Sequence, residues 1–412
     1  MAPAVPSRLC RRLCGLLLLT AAASAHAESG KLITPFADLS YNYASNLRSR
    51  PDVENPNVSE QERQARDKQA RQDWELNTRL GLALEKKFGR QLLQGRFVLG
   101  HSKFQNHTDL NYDSREGQTT LAWQLGNHIA GNLGVSNSKT MSPFDVYEGR
   151  VLVSLRNLRQ QNNRFVDGGW RFHPSFRLRG TLGRLDLSNE LDTVKMFDRK
   201  QITREAWLDW LPASGSSLSL MVRRTGEGFP LFKDSERSAD KFDRSTDEIK
   251  LKLHWAYSAK TELQLLTGYV RRKYQFQPER DYSGLNWHLN GNWRASAKLE
   301  FGAQLWRALD GVDKESTSLS LSNGLRIIPV WNISSKLRLD GRLNLERRTA
   351  VPMPGMNVNL VEKVYNATLG LTWVPLPKLQ VSANVGRDQL DSNLEYRSYH
   401  NNRIGLNAHY EY

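Results

Sequence analysis

The chain has 412 residues and two cysteines, Cys10 and Cys14, both ahead of the first apolar run. Beyond residue 27 there is no thiol, which excludes disulfides, thiolate nucleophiles and cysteine-based metal sites from most of the protein. Long hydrophobic runs are missing too. No stretch after Gly15 to Ala23 approaches the roughly 20 apolar residues of a transmembrane helix, and mean hydropathy is −0.59. A helical membrane protein is excluded. A β-barrel is not, because its strands turn only every second side chain to lipid. Catalytic signatures are also absent: there is no Gly-x-Ser-x-Gly elbow, no His-Glu-x-x-His, no phosphate loop and no dinucleotide fingerprint. His254 and His288 fall on strands with another strand between them, so two unrelated polar groups are favoured over a metal pair. Asp38 and Glu75 do not declare a carboxylate dyad. No enzymatic activity, cofactor or metal is expected.

What is present begins with residues 1–27, which read as a secretory signal. Arg8, Arg11 and Arg12 make a basic start, Gly15 to Ala23 an apolar centre, and Ala25-His26-Ala27 a small-x-small cleavage site. Residues 28–412 are then expected to form one domain. The formal net charge is +15, or +12 without the three leader arginines. That excess predicts anionic partners, such as lipopolysaccharide head groups, acidic glycans or anionic solutes. Nucleic acid is excluded by export and by the lack of any recognisable binding module.

Period-two alternation governs the rest. Leu76, Thr78, Leu80, Leu82 and Leu84 share one face, and Glu75, Asn77, Arg79 and Glu85 the other. Leu337, Leu339, Gly341, Leu343 and Leu345 alternate likewise with Arg338, Asp340, Arg342, Asn344 and Glu346. Runs of ten or more such residues exceed the soluble-strand mode of about 5–6 and match the roughly 9–11 needed to cross a membrane at a tilt. Eighteen strands are predicted, sixteen being the alternative, at 31–43, 74–87, 91–104, 114–125, 128–139, 160–172, 176–188, 200–211, 216–225, 244–257, 262–274, 282–294, 298–309, 316–330, 336–347, 361–374, 378–388 and 402–412. Connections after even strands are tight. Those after odd strands are longer and polar, including 44–73, whose charge-balanced segment 59–73 is either a plug or a solvated outer loop. The expected fold is an all-β, single transmembrane antiparallel up-and-down barrel with short periplasmic turns and longer extracellular loops, in the outer membrane. The last strand ends on Tyr412, a feature resembling the signal read by the barrel assembly machinery.

A phrase repeats along the chain: Trp255-Ala-Tyr-Ser-Ala-Lys260, Trp293-Arg-Ala-Ser-Ala-Lys298, Trp331-Asn-Ile-Ser-Ser-Lys336 and Trp373-Val-Pro-Leu-Pro-Lys378. Trp123, Trp170 and Trp210 continue it upstream in looser form. Each Trp closes an even strand, so the seven are expected to form an aromatic girdle at the periplasmic interface, with the lysines reaching water or lipid phosphate just beyond. The opposite parity places Arg79, Arg96, Arg171, Arg272, Arg294, Arg326, Arg338, Arg342 and Arg403 on the lumen as candidate pore-lining groups, along with Trp207 and Trp306. Arginine forks suit carboxylate, sulfate or phosphate on a passing solute. The competing reading is a salt-bridge lattice that stiffens the wall.

Several phrases resemble the EpsL-type outer-membrane barrels of exopolysaccharide loci and the broader β-barrel porin group. They are Leu32 to Leu47, Leu110-Asn-Tyr-Asp113, Leu121 to Asn127, Gly168 to Pro174, Arg280 to Leu285, Trp293 to Lys298 and Asp391-Ser-Asn393, in that order along the chain. The resemblance implies a component of exopolysaccharide production and export, with a polysaccharide (acidic, given the charge) and periplasmic export proteins as partners. It carries no catalytic residues. The alternatives are a general or solute-uptake porin and a non-conducting assembly partner of an export apparatus. A hydrolase is least favoured.

Overall fold

The computed structural model describes residues 32–53, 70–142, 155–230, 243–276, 281–310, 320–350 and 360–412, with 144, 147–148, 151–152 and 278 between them. The predicted leader and most of the charged segment 59–73 lie outside these residues. One 18-stranded antiparallel sheet accounts for nearly all of the described chain. Its strands are β1 (Ile33–Ala44), β2 (Asp73–Phe88), β3 (Gln91–Phe104), β4 (Tyr112–Leu125), β5 (Ile129–Met141), β6 (Leu158–His173), β7 (Phe176–Asn189), β8 (Arg199–Trp210) and β9 (Ser217–Gly228). They continue as β10 (Arg244–Ser258), β11 (Thr261–Tyr274), β12 (Tyr282–Arg294), β13 (Leu299–Asp310), β14 (Ser320–Asn332), β15 (Leu337–Ala350), β16 (Val361–Leu376), β17 (Leu379–Ser392) and β18 (Tyr399–Glu411). Each pairs with its neighbours in sequence, and β1 pairs with β18 from Phe36↔Glu411 to Ala44↔Arg403. The sheet is a closed barrel of eighteen strands, not sixteen.

The two faces separate as the alternation requires. Leu99, Val135, Leu182, Leu220, Ile249, Leu285, Leu343, Leu369, Val385 and Leu406 all stand exposed on the outer face, Leu99 at 70%. So much exposed aliphatic surface, wrapped around the whole circumference, suits hydrocarbon and not water. The inner face is polar, with Asp38, Asn77, Glu205, Arg223, Arg326 and Asn344 alternating against it.

The connections divide by length as the parity predicts. Phe88 to Gln91, Leu125 to Ile129 and His173 to Phe176 are tight, whereas 45–72, 142–157 and 229–243 are long. The long-loop end has its own small core. Phe104, Leu110 and Phe144 are buried there, with Leu47, Tyr112 and Met141 packed against them. Beside it the buried Asp73 carboxylate accepts backbone N–H bonds from Trp74 (2.7 Å), Asn106 (2.9 Å) and His107 (2.8 Å), so one side chain ties the start of β2 to the loop after β3.

The tryptophan phrase turns out to be a hairpin device. In three copies the serine caps its own turn. Ser258 Oγ accepts from Lys260 N and Thr261 N, Ser296 Oγ from Lys298 N and Leu299 N, and Ser334 Oγ from Lys336 N and Leu337 N. The lysine then reaches sideways. Lys298 Nζ donates to Ile333 O at 3.1 Å, Lys336 Nζ to Pro375 O at 3.2 Å, and Lys378 Nζ sits 4.5 Å from the Tyr412 ring centre. These ammonium groups therefore staple one turn to the next, a use the phrase alone did not reveal. The main chain does the same: Lys260, Lys298, Lys336 and Lys378 each give a carbonyl to the end of the next even strand.

The tryptophans form a ring. Trp170, Trp210, Trp255, Trp293, Trp331 and Trp373 are about half exposed on the outer face. Trp123 is less exposed because it lies across Gly131 and Gly168, where a Cβ on Gly131 would run into its ring. The stagger is regular. The row from Trp170 meets Leu208, two residues before Trp210, and the row from Trp210 meets Leu253, two before Trp255. The same offset holds from Trp255 through to Trp373. Tilted strands need such a shift if their tryptophans are to stay at one height.

Each capping serine satisfies two turn N–H groups, and a net hydrogen bond is worth about 0.5–1.5 kcal/mol. Ser296→Ala and Ser334→Ala should each lower the unfolding free energy of the micelle-held barrel in urea by that order, and Ser→Thr should largely retain it. Unchanged midpoints in both alanine variants would show that the phrase does not act as a hairpin cap.

Candidate functional site: the inner wall

Most interior arginines are spent on neighbouring carboxylates. Arg177 Nε (2.8 Å) and Arg179 Nε (2.6 Å) on β7 both donate to Asp209 Oδ2 on β8, a carboxylate only 1% exposed. On β9, Arg223 bridges Glu205 of β8 (2.7 Å) and Glu248 of β10 (3.0 Å), and Lys250 takes the other oxygen of Glu248. Towards the long-loop end, Arg199 and Arg244 flank Glu227. These strands form a charge lattice that runs across the sheet rather than along it.

The opposite wall is held differently. Arg326 Nη1 donates to Gln304 Oε1 (3.3 Å) and its Nε to Asn344 Oδ1 (3.2 Å). Asn344 Nδ2 then donates to Asn366 Oδ1 (3.2 Å), Asn366 Nδ2 to Asp388 Oδ1 (2.8 Å), and Arg403 Nη2 to that same oxygen (2.9 Å). A single side-chain ladder thus spans β13 to β18, one residue per strand. Neutral amides carry most of it, so Arg326 meets no carboxylate.

The nine sequence-predicted arginines divide accordingly. Arg79 is 3.8 Å from both Asp38 and Glu116, Arg338 is 3.5 Å from Asp340, and Arg403 is 2.6 Å from Asp388. Arg272 is 2% exposed and donates to Thr246 Oγ1 (3.1 Å), so it belongs to the wall rather than to open space. Arg171 and Arg294 stand exposed near the short-turn end. Arg171 lines a cavity of about 600 Å³ there, with Arg177, Arg179, Asn132 and Asp167. Arg96, Arg326 and Arg342 have no ion pair among the described residues. Arg171 and Arg294 likewise make none.

Three guanidiniums lie over aromatic rings on this face: Arg96 is 4.0 Å from the centre of Phe36, Arg179 4.8 Å from Trp207 and Arg326 5.5 Å from Trp306. Trp207 and Trp306 sit on the inner parity, as their positions in sequence predict. Trp306 has room because Gly324 faces it, where a Cβ would strike the indole. Its Nε1 donates to Ser322 Oγ (2.9 Å), which donates in turn to Glu346 (2.7 Å). Phe36, Arg177, Arg179, Glu205, Asp209, Arg223 and Glu248 were not singled out from sequence. Their parity was legible, but which of many inward charges meet depends on register across three strands. Among the described residues no group of three His, Cys, Asp or Glu could hold a metal. His254 Nε2 is 2.7 Å from Glu262 Oε1, on the neighbouring strand rather than near His288.

Removing the Asp209 charge leaves two partly exposed guanidiniums facing a buried amide. Asp209→Asn should cost about 1–3 kcal/mol in denaturant unfolding at neutral pH, with the partial exposure of both arginines favouring the lower figure. A variant as stable as the parent would show that the lattice does not contribute to stability here.

A family model described as Putative beta-barrel porin 2 matches residues 234–412, the half of the barrel from β10 onward. No curated protein sequence matches. Among solved structures, OpdK of Pseudomonas aeruginosa superposes with a TM-score of 0.53 at 11% identity, covering 92% of this chain and 99% of that one. OccK9 (OpdG) of the same organism gives 0.50 at 12%, covering 93% and 100%. A BenF-like porin of Pseudomonas fluorescens Pf-5 gives 0.50 at 12%, covering 92% and 98%. At these identities the likeness is one of fold, and it establishes a porin-like β-barrel.

Proposed function

We propose that this chain is an outer-membrane diffusion channel that passes small organic anions, aromatic carboxylates among them. One observation carries the reading. The inner wall presents guanidiniums stacked over rings at Phe36/Arg96, Trp207/Arg179 and Trp306/Arg326. Arg179 is held by Asp209 and Phe36 is buried, so the pair open to a flat anion is Trp306/Arg326, which offers a charged hydrogen-bond partner beside an aromatic ring. Arg96, Arg326 and Arg342 also add charge that no described carboxylate cancels, which biases a pore towards anions. An 18-stranded barrel is wide enough for an aqueous path. The crystal structure of OpdK, similar in fold, is one with vanillate, a ring bearing a carboxylate. That ligand is OpdK's and lends this chemistry plausibility only by analogy. Cleavage of residues 1–27 belongs to the same proposal.

The exopolysaccharide role implied by the phrase resemblance is the second reading. Trp207 and Trp306 favour it, since an indole in a pore can also stack on a sugar face. The barrel would then serve export of the polymer, with periplasmic export proteins as partners.

Single-channel recording in planar bilayers separates the readings. Anion selectivity is expected, with vanillate blocking the current. Arg326→Gln with Arg342→Gln should move the reversal potential in a salt gradient towards the unselective value and weaken the block about tenfold, the order expected for losing one bidentate charged contact. Block by an acidic polysaccharide but not by vanillate would favour the export reading. A barrel that inserts without conducting would overturn both.

A further inference from the structure

The outer face carries arginines where lipid should lie. Arg164, Arg184, Arg204 and Arg224 occupy β6, β7, β8 and β9, each on the outward parity of Val166, Leu182, Ile202 and Val222. They share one height. Arg164 precedes Trp170 by six residues and Arg204 precedes Trp210 by six, while Arg184 and Arg224 follow Leu178 and Leu218, the direct partners of those tryptophans, by the same interval. They also face one another: Arg164↔Arg184 and Arg204↔Arg224 are directly opposed cross-strand pairs. Like charges so placed repel, and all four side chains are exposed. Nearby acids neutralise only half of the row. Asp186 is engaged by Arg184 at 3.0 Å and Asp247 by Arg224 at 3.6 Å, whereas Arg164 and Arg204 make no ion pair or hydrogen bond with any described residue.

Two grooves open on the same outer surface. One, of about 660 Å³, runs over Leu121, Leu133, Val135, Val166, Leu182 and Ile202, with Arg164, Arg184 and Arg204 along it. The other, also about 660 Å³, is lined outward by Val222, Ile249 and Tyr269 with Arg204, Arg224, Arg271 and a single acid, Asp247. Arg204 borders both. A row of four guanidiniums, two of them without a counter-charge, above apolar channels matches a molecule with several acyl chains and phosphates on a compact head.

We propose that this patch is a binding site for a phosphorylated, multiply acylated lipid of the outer leaflet, its phosphates on the arginine row and its chains in the two grooves. The inference rests on the membrane reading of the barrel. It gives part of the chain's cationic excess a specific location. It also accounts for a like-charge row that folding alone would disfavour: the ligand's phosphates supply the missing counter-charge, and forked guanidinium–phosphate bonds set its orientation.

The test is native mass spectrometry of the detergent-purified, delipidated barrel titrated with hexa-acylated diphosphoryl lipid A. The parent should retain the lipid. The quadruple variant Arg164→Gln, Arg184→Gln, Arg204→Gln, Arg224→Gln should bind on the order of a hundredfold more weakly, taking a factor of about five per arginine at a membrane surface as the upper guide. Monophosphoryl lipid A should bind the parent less well than the diphosphoryl form. Arg347→Gln with Arg387→Gln, two outward arginines elsewhere on the barrel, should leave binding intact. Equal binding by the quadruple variant, or an equal loss in the control, overturns the site. Quenching of the tryptophan ring by brominated phospholipids in vesicles keeps the two readings apart: quenching without lipid A binding defeats this proposal alone, and no quenching defeats the membrane reading as well.

Discussion

Pairing of β1 with β18 is the constraint on which the rest of the structure depends. An open sheet of this size would leave two edges of unsatisfied N–H and C=O groups, each costing several kcal/mol in apolar surroundings. Closure removes them all. It also fixes an inside and an outside. From then on, a residue's parity decides whether it meets the apolar belt or the polar interior. The stagger of two residues per hairpin keeps the tryptophans level around the closed wall, and the Ser and Lys of each repeated phrase hold the turns that set that stagger.

The inner wall shows why a list of arginines is a poor guide to a pore. Exposed ion pairs are worth roughly 0–1 kcal/mol each, so single contacts such as Arg79 with Asp38 contribute little. Linked sets differ. Asp209 with Arg177 and Arg179, or Arg223 between two glutamates, place charges where neither partner can relax independently. That lattice stiffens β7 to β10 and offsets most of its own charge. The ladder from Gln304 to Arg403 stiffens β13 to β18 with amides, and so leaves Arg326 its charge. The wall's net charge is then left to the cations that the framework does not consume.

Fold was largely legible from the alternation, because parity is a local property. All eighteen strands fall where Leu76 to Leu84 and their counterparts place them, and the loop-length asymmetry follows. The inner parity of Trp207 and Trp306 was legible for the same reason. The contacts were not. That Phe36 would lie under Arg96 depends on β1 and β3 being brought together across β2, and that Arg272 would be buried depends on Thr246 and the groups around it. The tryptophans of the repeated phrase lie level around the wall, and two of its lysines reach carbonyls of the next turn, a contact the phrase alone does not show. Such facts belong to register and side-chain reach, which no single strand contains.

Three dipeptides show how this wall divides its labour. Arg223-Arg224, Asp247-Glu248 and Arg271-Arg272 each put like charges on successive residues, hence on opposite faces. Alternation of charge cannot choose their register, since a one-residue slip would exchange like for like. The choice is made beside them by Val222, Ile249 and Tyr269, which must lie outward. Once those are placed, Arg223 and Glu248 join the inner lattice while Arg224 and Asp247 pair on the outside. The same pair chemistry therefore appears on both faces at nearly the same height, separated by one thickness of backbone. Inside, it is embedded among carboxylates and holds strands together. Outside, it stands beside Arg204 and Arg271 with too few acids to match, and its remaining charge is free for a partner that only the outer surface can meet.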